Sequence, residues 1–494
     1  MKWFKKIYWR FQPFISAFFP FVLLSLIGAI LLLLPFSVSR GKHLNFIDAF
    51  FTSTSAICVT GLVVVDTGST FRWFGELVIA LLIQIGGLGY MTLSATFLLV
   101  LRKTLDIKTK KSLQEAMGIF TLSDVIPVLK RAVKFTFLME GIGFILLFLK
   151  FIQFLPFKQA LRFSAFHSIS AFCNAGFDLF GERYGEFCSI QPFSKDTYLI
   201  LITAFLFISG GLGFIVVSDA IVNFKEVFGF KGLKYIFYNL KRFFEVIYKG
   251  EFFKFLKDFW DRLNIHSKIV FRVTFVLLFI GTIGVLVFEW GNKWTIGSMG
   301  FGYKLLNAFF HSATPRTAGF STLNVSKFSY PTLILTIFLM FIGASPGGTG
   351  GGIKTTTFAV VLYYLKIAIM GKEEIVIYKR SIGQRIVKQS LAIFIYALSA
   401  IFISTFLVSI SMQNSLYFNR LHFPFLTILF EVFSAFGTVG LSMGITPYLN
   451  AFSKFIIIIT MFLGRLGSTT LAMWIAIRTR RSFVHYPETE IVVG

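Results

Sequence analysis

The chain has 494 residues, of which 55% are apolar and 14% charged, with a mean hydropathy of +0.76. A soluble domain carries about a quarter charged residues, and three cysteines make no disulfide scaffold, so a soluble enzyme, a secreted disulfide module and a disordered tail are all excluded. The 48 Lys and Arg exceed the 23 Asp and Glu by 25; on a polytopic membrane chain such an excess marks the cytoplasmic side rather than a nucleic-acid partner.

A spanning helix needs about 20 mostly apolar residues. The first run, Phe14 to Pro35, follows a basic start at residues 1–10 and is too long for a signal peptide's core, so it reads as a retained helix. Further spans are expected at 74–101, 133–155, 197–222, 268–290, 331–366, 389–411 and 452–477. Shorter apolar stretches at 44–57, 160–172, 305–314 and 424–436 are too short to cross and read as re-entrant half-helices. The plan is span, half-span, span, four times over: an all-α polytopic membrane protein with repeats at 1–101, 133–222, 268–366 and 389–478. A linker occupies 223–267 and a cytoplasmic tail 479–494.

Letters repeat as well as hydropathy. After the half-spans come Ser55-Ala56-Ile57-Cys58-Val59-Thr60-Gly61-Leu62, Ser170-Ala171-Phe172-Cys173-Asn174-Ala175-Gly176-Phe177 and Ser434-Ala435-Phe436-Gly437-Thr438-Val439-Gly440-Leu441. The third departs: Ala313-Thr314-Pro315-Arg316-Thr317-Ala318-Gly319-Phe320 keeps only the end. A second block follows at Gly86-Gly87-Leu88-Gly89, Gly210-Gly211-Leu212-Gly213, Gly343-Ala344-Ser345-Pro346 and Gly464-Arg465-Leu466-Gly467, read either as close packing and bending or as function. Segments 1–10, 102–134, 218–272, 366–388 and 478–494 hold 32 of the basic residues against 13 acidic ones, which puts both termini and the long links in the cytoplasm.

Irregular backbone at membrane depth survives only against protein or water, so four glycine-bearing segments imply a polar path on one axis. Glycine lets successive carbonyls face inward by taking φ > 0. Half-helix C-termini carry partial negative charge, and four of them around carbonyl-lined loops suit a dehydrated monovalent cation.

This plan, with Cys58-Val59-Thr60-Gly61-Leu62, Arg316-Thr317-Ala318-Gly319-Phe320 and Gly437-Thr438-Val439-Gly440-Leu441, resembles the Trk/Ktr/HKT superfamily of potassium transporters. The opening Leu24-Ser25-Leu26-Ile27-Gly28-Ala29 stretch is closest to the Ktr-type membrane subunit. The resemblance implies a K+-channel-like pore whose filter is Cys58–Gly61, Cys173–Gly176, Arg316–Gly319 and Gly437–Gly440. K+ would be held by carbonyls near Gly61, Gly176, Gly319 and Gly440. Glycine rather than serine at the first of these goes with potassium in the family. The resemblance further implies a homodimer on a cytoplasmic ring of nucleotide-binding, RCK-type regulatory subunits. This chain has no cofactor of its own, and Na+ is a regulator or coupled ion. Whether it acts as a gated channel or as a Na+- or H+-coupled symporter stays open, as does Na+ permeability.

Five glycines in 347–352 and Pro346 break the sixth span over 343–357. Gly348 to Thr355 lacks the second glycine of a phosphate loop, and the stretch resembles the family's intramembrane gating loop, with Gly347, Gly348, Gly350, Gly351, Gly352 and Lys354. Arg465, mid-span, must face the interior; by resemblance it contacts that loop as a barrier to cations, the alternative being a structural tie to a neighbouring carbonyl. Arg316 is expected to turn away from the pore towards Glu431, and Lys354 to snorkel to the cytoplasm. Glu76, Glu140 and Glu289 read as structural pairs or interface residues rather than ion ligands, His167 and His311 as polar packing, and Cys58 and Cys173 as small buried residues. Phe252, Phe255 and Phe259 with Lys254 and Lys257 read as an amphipathic helix on the anionic leaflet, or as a dock for a regulatory subunit. No nucleotide motif, HExxH, GxSxG or intramembrane Asp pair supports an enzyme, and nothing calls for nucleic acid.

Overall fold

The computed structural model describes residues 18–89, 110, 113–114, 123–228, 252–372, 374–413, 415 and 424–478. The basic start, the ends of the first two spans (14–17 and 90–101), most of the 102–134 link, 229–251 and the tail 479–494 lie outside the described residues.

In the first repeat, α1 (Phe18–Leu32) is followed by the half-helix α2 (Phe46–Ile57) and by α3 (Trp73–Leu88). The second has α4 (Val125–Phe151), half-helix α5 (Phe157–Phe172), α6 (Thr197–Gly211) and α7 (Phe214–Phe228). After α8 (Phe252–Arg262) the third has α9 (Ile265–Glu289), half-helix α10 (Phe301–Ala313), α11 (Tyr330–Phe341) and α12 (Thr355–Ile369). The fourth has α13 (Gln384–Met412), half-helix α14 (Pro424–Gly437) and α15 (Ala451–Arg478). Each first span packs along its half-helix, α4 on α5 and α9 on α10, and α15 packs on α2, joining the last repeat to the first. Lys454 Nζ meets Asp48 Oδ1 at 2.6 Å across that junction.

Among the described residues α4, α9 and α13 are single helices long and apolar enough to cross a membrane. The fourth expected span is not one helix: α6 and α7 meet at 100°. Gly213 takes φ +91° at the break, a conformation that only glycine adopts without strain. The sixth is split where expected, between α11 and α12. The half-helices start earlier than hydropathy suggests in the second and third repeats, because Lys158, Gln159 and Lys304 make their first turns polar. The link after α12 holds a feature absent from the sequence reading, a two-stranded antiparallel hairpin, β1 (Val376–Ile377) with β2 (Arg380–Ser381). Its turn residue Tyr378 lies under Lys268 and Arg272 of α9, 5.8 and 5.4 Å from the ring centre.

The aromatic linker helix α8 packs in part on the chain itself. Phe224 of α7 meets Phe255 and Phe259 edge-on at 5.9 and 6.5 Å, and Arg262 Nη1 reaches Glu226 at 3.3 Å. Phe253 stays 82% exposed.

Candidate functional site: a ring of four glycines over a broken span

Each half-helix ends where the chain enters the left-handed region twice in three residues. Val59 and Gly61 have φ of 57° and 83°, Asn174 and Gly176 61° and 70°, Thr317 and Gly319 76° and 78°, and Thr438 and Gly440 49° and 92°. The glycines adopt this freely, whereas a β-branched Val or Thr there costs about 1–3 kcal/mol and needs surrounding structure to hold it. That structure is the repeated serine motif. Thr60, Ala175 and Val439 donate their N–H to the carbonyls of Ser55, Ser170 and Ser434 at 2.7–2.8 Å. The Ser170 hydroxyl donates to the Phe177 carbonyl at 2.7 Å, and Thr314 does the same to Phe320 in the divergent third repeat.

The four segments close on one another in order. A Cβ at Gly61 would strike the Ala175 carbonyl, one at Gly176 would lie 2.9 Å from that of Ala318, one at Gly319 2.5 Å from that of Val439, and one at Gly440 would strike that of Thr60. Gly61, Gly176, Gly319 and Gly440 therefore form a closed ring, one glycine per repeat, with buried Cys58, Cys173, Ala318 and Val439 in its wall. The second glycine block supports it from behind: Cβ atoms at Gly86, Gly210 and Gly464 would strike the carbonyls of Ile57, Phe172 and Phe436, the last or next-to-last residues of their half-helices. Close approach is thus one reason for these glycines, and bending at 210–213 is a second.

On one face of the ring a cavity of about 460 Å³ is lined by the ring glycines and the loops after them. Its lining includes Asp66, Asp178 and Glu186 and no basic side chain. Asp66 accepts N–H bonds from Ser69 and Phe187, both at 2.8 Å, tying the first repeat's loop to the second's. At the rim Lys42 Nζ lies 2.8 Å from Glu186, whose carboxyl it holds below the usual carboxylate range while its own pKa is raised.

On the other face lies the segment between α11 and α12. Gly343 N donates to Ile353 O at 2.9 Å, which closes it as a loop. The bent second repeat clasps it: Ser345 and Thr349 donate N–H to the carbonyls of Gly211 and Gly210, and Phe214 N–H to that of Gly347, at 3.0–3.2 Å. The loop also touches the ring segments. Thr349 Oγ1 bonds Asn174 Oδ1 at 3.0 Å, Asn174 Nδ2 bonds Thr317 Oγ1 at 3.2 Å, and Gly351 N bonds Thr438 Oγ1 at 2.8 Å. A Cβ at Gly350 would strike Thr317 Oγ1. Only Val59, at the corresponding place in the first repeat, offers no polar group.

Arg465 reaches this loop: Nη1 donates to Thr349 O and Nη2 to Gly86 O. It is thus both a contact to the loop and a tie between carbonyls. Lys354 does not snorkel; Nζ donates to Gly350 O at 2.7 Å, four residues back. The expected Arg316–Glu431 pair does not form. Glu431 accepts from Ser442 Oγ at 2.8 Å and from Thr446 Oγ1, both in its own repeat, so the carboxylate is already satisfied. Arg316 is 7% exposed, and its Nε has no partner among the described residues. Glu76 pairs with Arg162 at 3.5 Å, and Glu289 accepts from Thr295, Ser329 and Thr332 at 2.6–2.8 Å. His167 bonds Phe163 O at 2.8 Å and His311 bonds Thr336 Oγ1 at 3.1 Å, both as packing groups.

Comparison with known proteins agrees with this architecture. The family model "TrkH: Cation transport protein" matches residues 10–485. The chain is 38% identical to the Ktr system potassium uptake protein B of Bacillus subtilis, over 99% of each chain. It is 35% identical to the potassium/sodium uptake protein NtpJ of Enterococcus hirae, again over 99% of each. The crystal structure of the potassium transporter TrkH from Vibrio parahaemolyticus shares the fold, with a TM-score of 0.65 at 16% identity, covering 96% of this chain and 85% of that one. These are transport proteins and not enzymes, and the chain belongs to the TrkH family of cation transport proteins.

Proposed function

We propose that the chain is the pore-forming subunit of a potassium uptake system, with the four glycine-ended segments as its selectivity filter. The closed ring supports this reading: paired left-handed residues recur in every repeat and each ring glycine lies against a backbone carbonyl of a neighbouring segment, and a ring of carbonyls can replace the hydration shell of K+. The cavity is then the outer vestibule, where the negative charge of Asp66 and Glu186 raises the local cation concentration, Asp178 contributing less because burial raises its carboxyl pKa to about 7. The loop between α11 and α12, with Gly347, Gly348, Gly350, Gly351, Gly352, Lys354 and Arg465, is the gate, a reading supported by its bonds to Asn174 and Thr438 of the ring segments. The termini are cytoplasmic, K+ is cargo, and the chain needs no resident cofactor. A regulatory partner is a separate chain, in line with relatives named as parts of a Ktr system; a homodimer on an RCK-type ring, with the links near anionic lipid, is the assembly proposed.

Sodium permeability is the second reading, favoured by the relative named for both ions. Purified protein in liposomes decides between them through Rb+ and Na+ fluxes measured with and without a sodium or proton gradient. Rb+ flux that exceeds Na+ flux and follows only the Rb+ gradient supports a potassium pore. Flux that requires a second gradient identifies a symporter, and equal fluxes identify a sodium-permeable one. Gly61→Ser should lower the Rb+/Na+ ratio; an unchanged ratio counts against the filter assignment.

A further inference from the structure

Glu140 lies in the middle of α4, which passes directly behind the second half-helix: Phe135 and Phe172 meet edge-on at 5.9 Å. Its residue is 7% exposed, and no ion pair reaches it among the described residues. An acid this deep in a membrane is costly unless it faces the protein interior and a partner. Gln84 of α3 stands beside it, and the thiol of Cys173 donates to Oε1 at 3.7 Å. Cys173 is fully buried and is closed in from the other side by the first repeat, where a Cβ on Gly87 would sit 2.6 Å from its sulfur. The thiol is therefore held between a glycine of one repeat and a carboxyl of another.

The remaining buried acids bind differently. Glu76 faces Arg162, Glu289 caps the start of α11 through Ser329 and Thr332, and Glu431 holds Ser442 and Thr446 beyond the fourth glycine. Glu140 accepts from a residue of the filter segment itself. The next residue, Asn174, turns to φ 61° and bonds both Thr317 and Thr349. Displacing Cys173 would carry Asn174 with it, and with it the carbonyls of the second segment.

We infer that Glu140 is a specificity-determining positioning residue: by accepting a hydrogen bond from the Cys173 thiol it fixes the second filter segment at the spacing that distinguishes K+ from Na+. This rests on the filter reading above. Glu140 acts through Cys173 and does not touch the ion.

The test is the Rb+/Na+ flux ratio of full-length protein in liposomes, with thermal stability followed in parallel. Glu140→Met, which removes the acceptor, and Cys173→Ala, which removes the donor, should each lower the ratio roughly fivefold, the scale of one lost buried hydrogen bond. The double variant should fall no further, because each single change already abolishes the same contact. Glu140→Gln, which keeps an acceptor oxygen, should stay within about twofold of the wild-type ratio. A ratio unaltered in folded Glu140→Met or in Cys173→Ala overturns the inference, as do losses that multiply in the double variant. If Glu140→Met does not fold, Cys173→Ala decides alone. Gly61→Ser, run beside them, separates the two levels. If it leaves the ratio unchanged, the filter reading fails; if it lowers the ratio while Cys173→Ala does not, only the role of Glu140 fails.

Discussion

Arg465 and Thr349 stand 116 residues apart in the chain, yet the guanidinium of one donates to the backbone carbonyl of the other in the loop beneath the glycine ring. The same guanidinium holds Gly86 O through its second arm. One side chain therefore ties the loop of the third repeat to the first repeat from its place in the fourth.

Removing that tie should free the loop. Arg465→Ala is expected to raise Rb+ uptake about three- to tenfold, since charge-assisted hydrogen bonds contribute about 1.5–3 kcal/mol each and the loop keeps its other bonds. Uptake into cells or liposomes, normalised to folded protein, is the measurement. Lower uptake at normal folding would make Arg465 a structural tie alone.

The loop is also bonded to the ring segments through neutral groups. Thr438→Val removes the acceptor for Gly351 N–H, and Thr349→Val removes the donor to Asn174 Oδ1. Each should raise uptake about two- to fivefold, less than Arg465→Ala, because a neutral hydrogen bond contributes about 0.5–1.5 kcal/mol. Uptake that stays at the wild-type level in both would mean that the loop is held elsewhere.

The 100° break in the second repeat depends on Gly213. An alanine there meets two obstacles: φ +91° and the Pro346 carbonyl against its Cβ. Gly213→Ala should lower the melting temperature of the purified protein by several degrees, from about 1–2 kcal/mol of left-handed strain plus the clash. Gly291→Ala is the control, since nothing lies within 4 Å of a Cβ at that site.

At the rim, Lys42 holds Glu186 below the usual carboxylate range. A carboxylate with a lowered pKa adds stability that is present above its unfolded pKa and is lost as pH falls through the folded one. Wild-type vestibule charge at Glu186 should therefore persist further into acid than in Lys42→Gln. In that variant the acid limb of the uptake profile at low Rb+ should move to higher pH. Superimposable profiles would remove Glu186 from ion recruitment.

Much of this site was legible in the letters. The repeated Ser-Ala, followed by Ile or Phe, and the terminal glycine locate the ring, because a turn of φ > 0 leaves a local signature at Gly61, Gly176 and Gly440. The glycine run 347–352 announces a break in a helix for the same reason. Signals carried by contacts across the chain were not legible. Val59, Asn174, Thr317 and Thr438 take φ > 0 without being glycine, held by the turns around them. The bend at Gly213 hides in an apolar run that reads as one span, and it is used because the loop of another repeat fits against it. The letters alone pair Glu431 with Arg316, because opposite charges deep in a membrane are expected to pair. Two hydroxyls of its own repeat satisfy it instead, and no pattern of letters distinguishes the two outcomes. Phe255 and Phe259 have the spacing of a lipid-facing helix, and only the position of Phe224 shows that part of that face is already occupied.

The order of contacts around the ring bears on how the protein is made. Gly440 closes on Gly61, and the seam is fastened by Lys454 and Asp48, 406 residues apart. Until the fourth repeat has left the ribosome and inserted, the first three form an open arc with the carbonyls of Thr60 and its neighbours facing whatever fills the gap. Polar backbone facing lipid costs several kcal/mol for each unsatisfied group. A chain released before about residue 450 therefore lacks the segment that closes the ring, and leaves polar backbone of the first repeat without its neighbour.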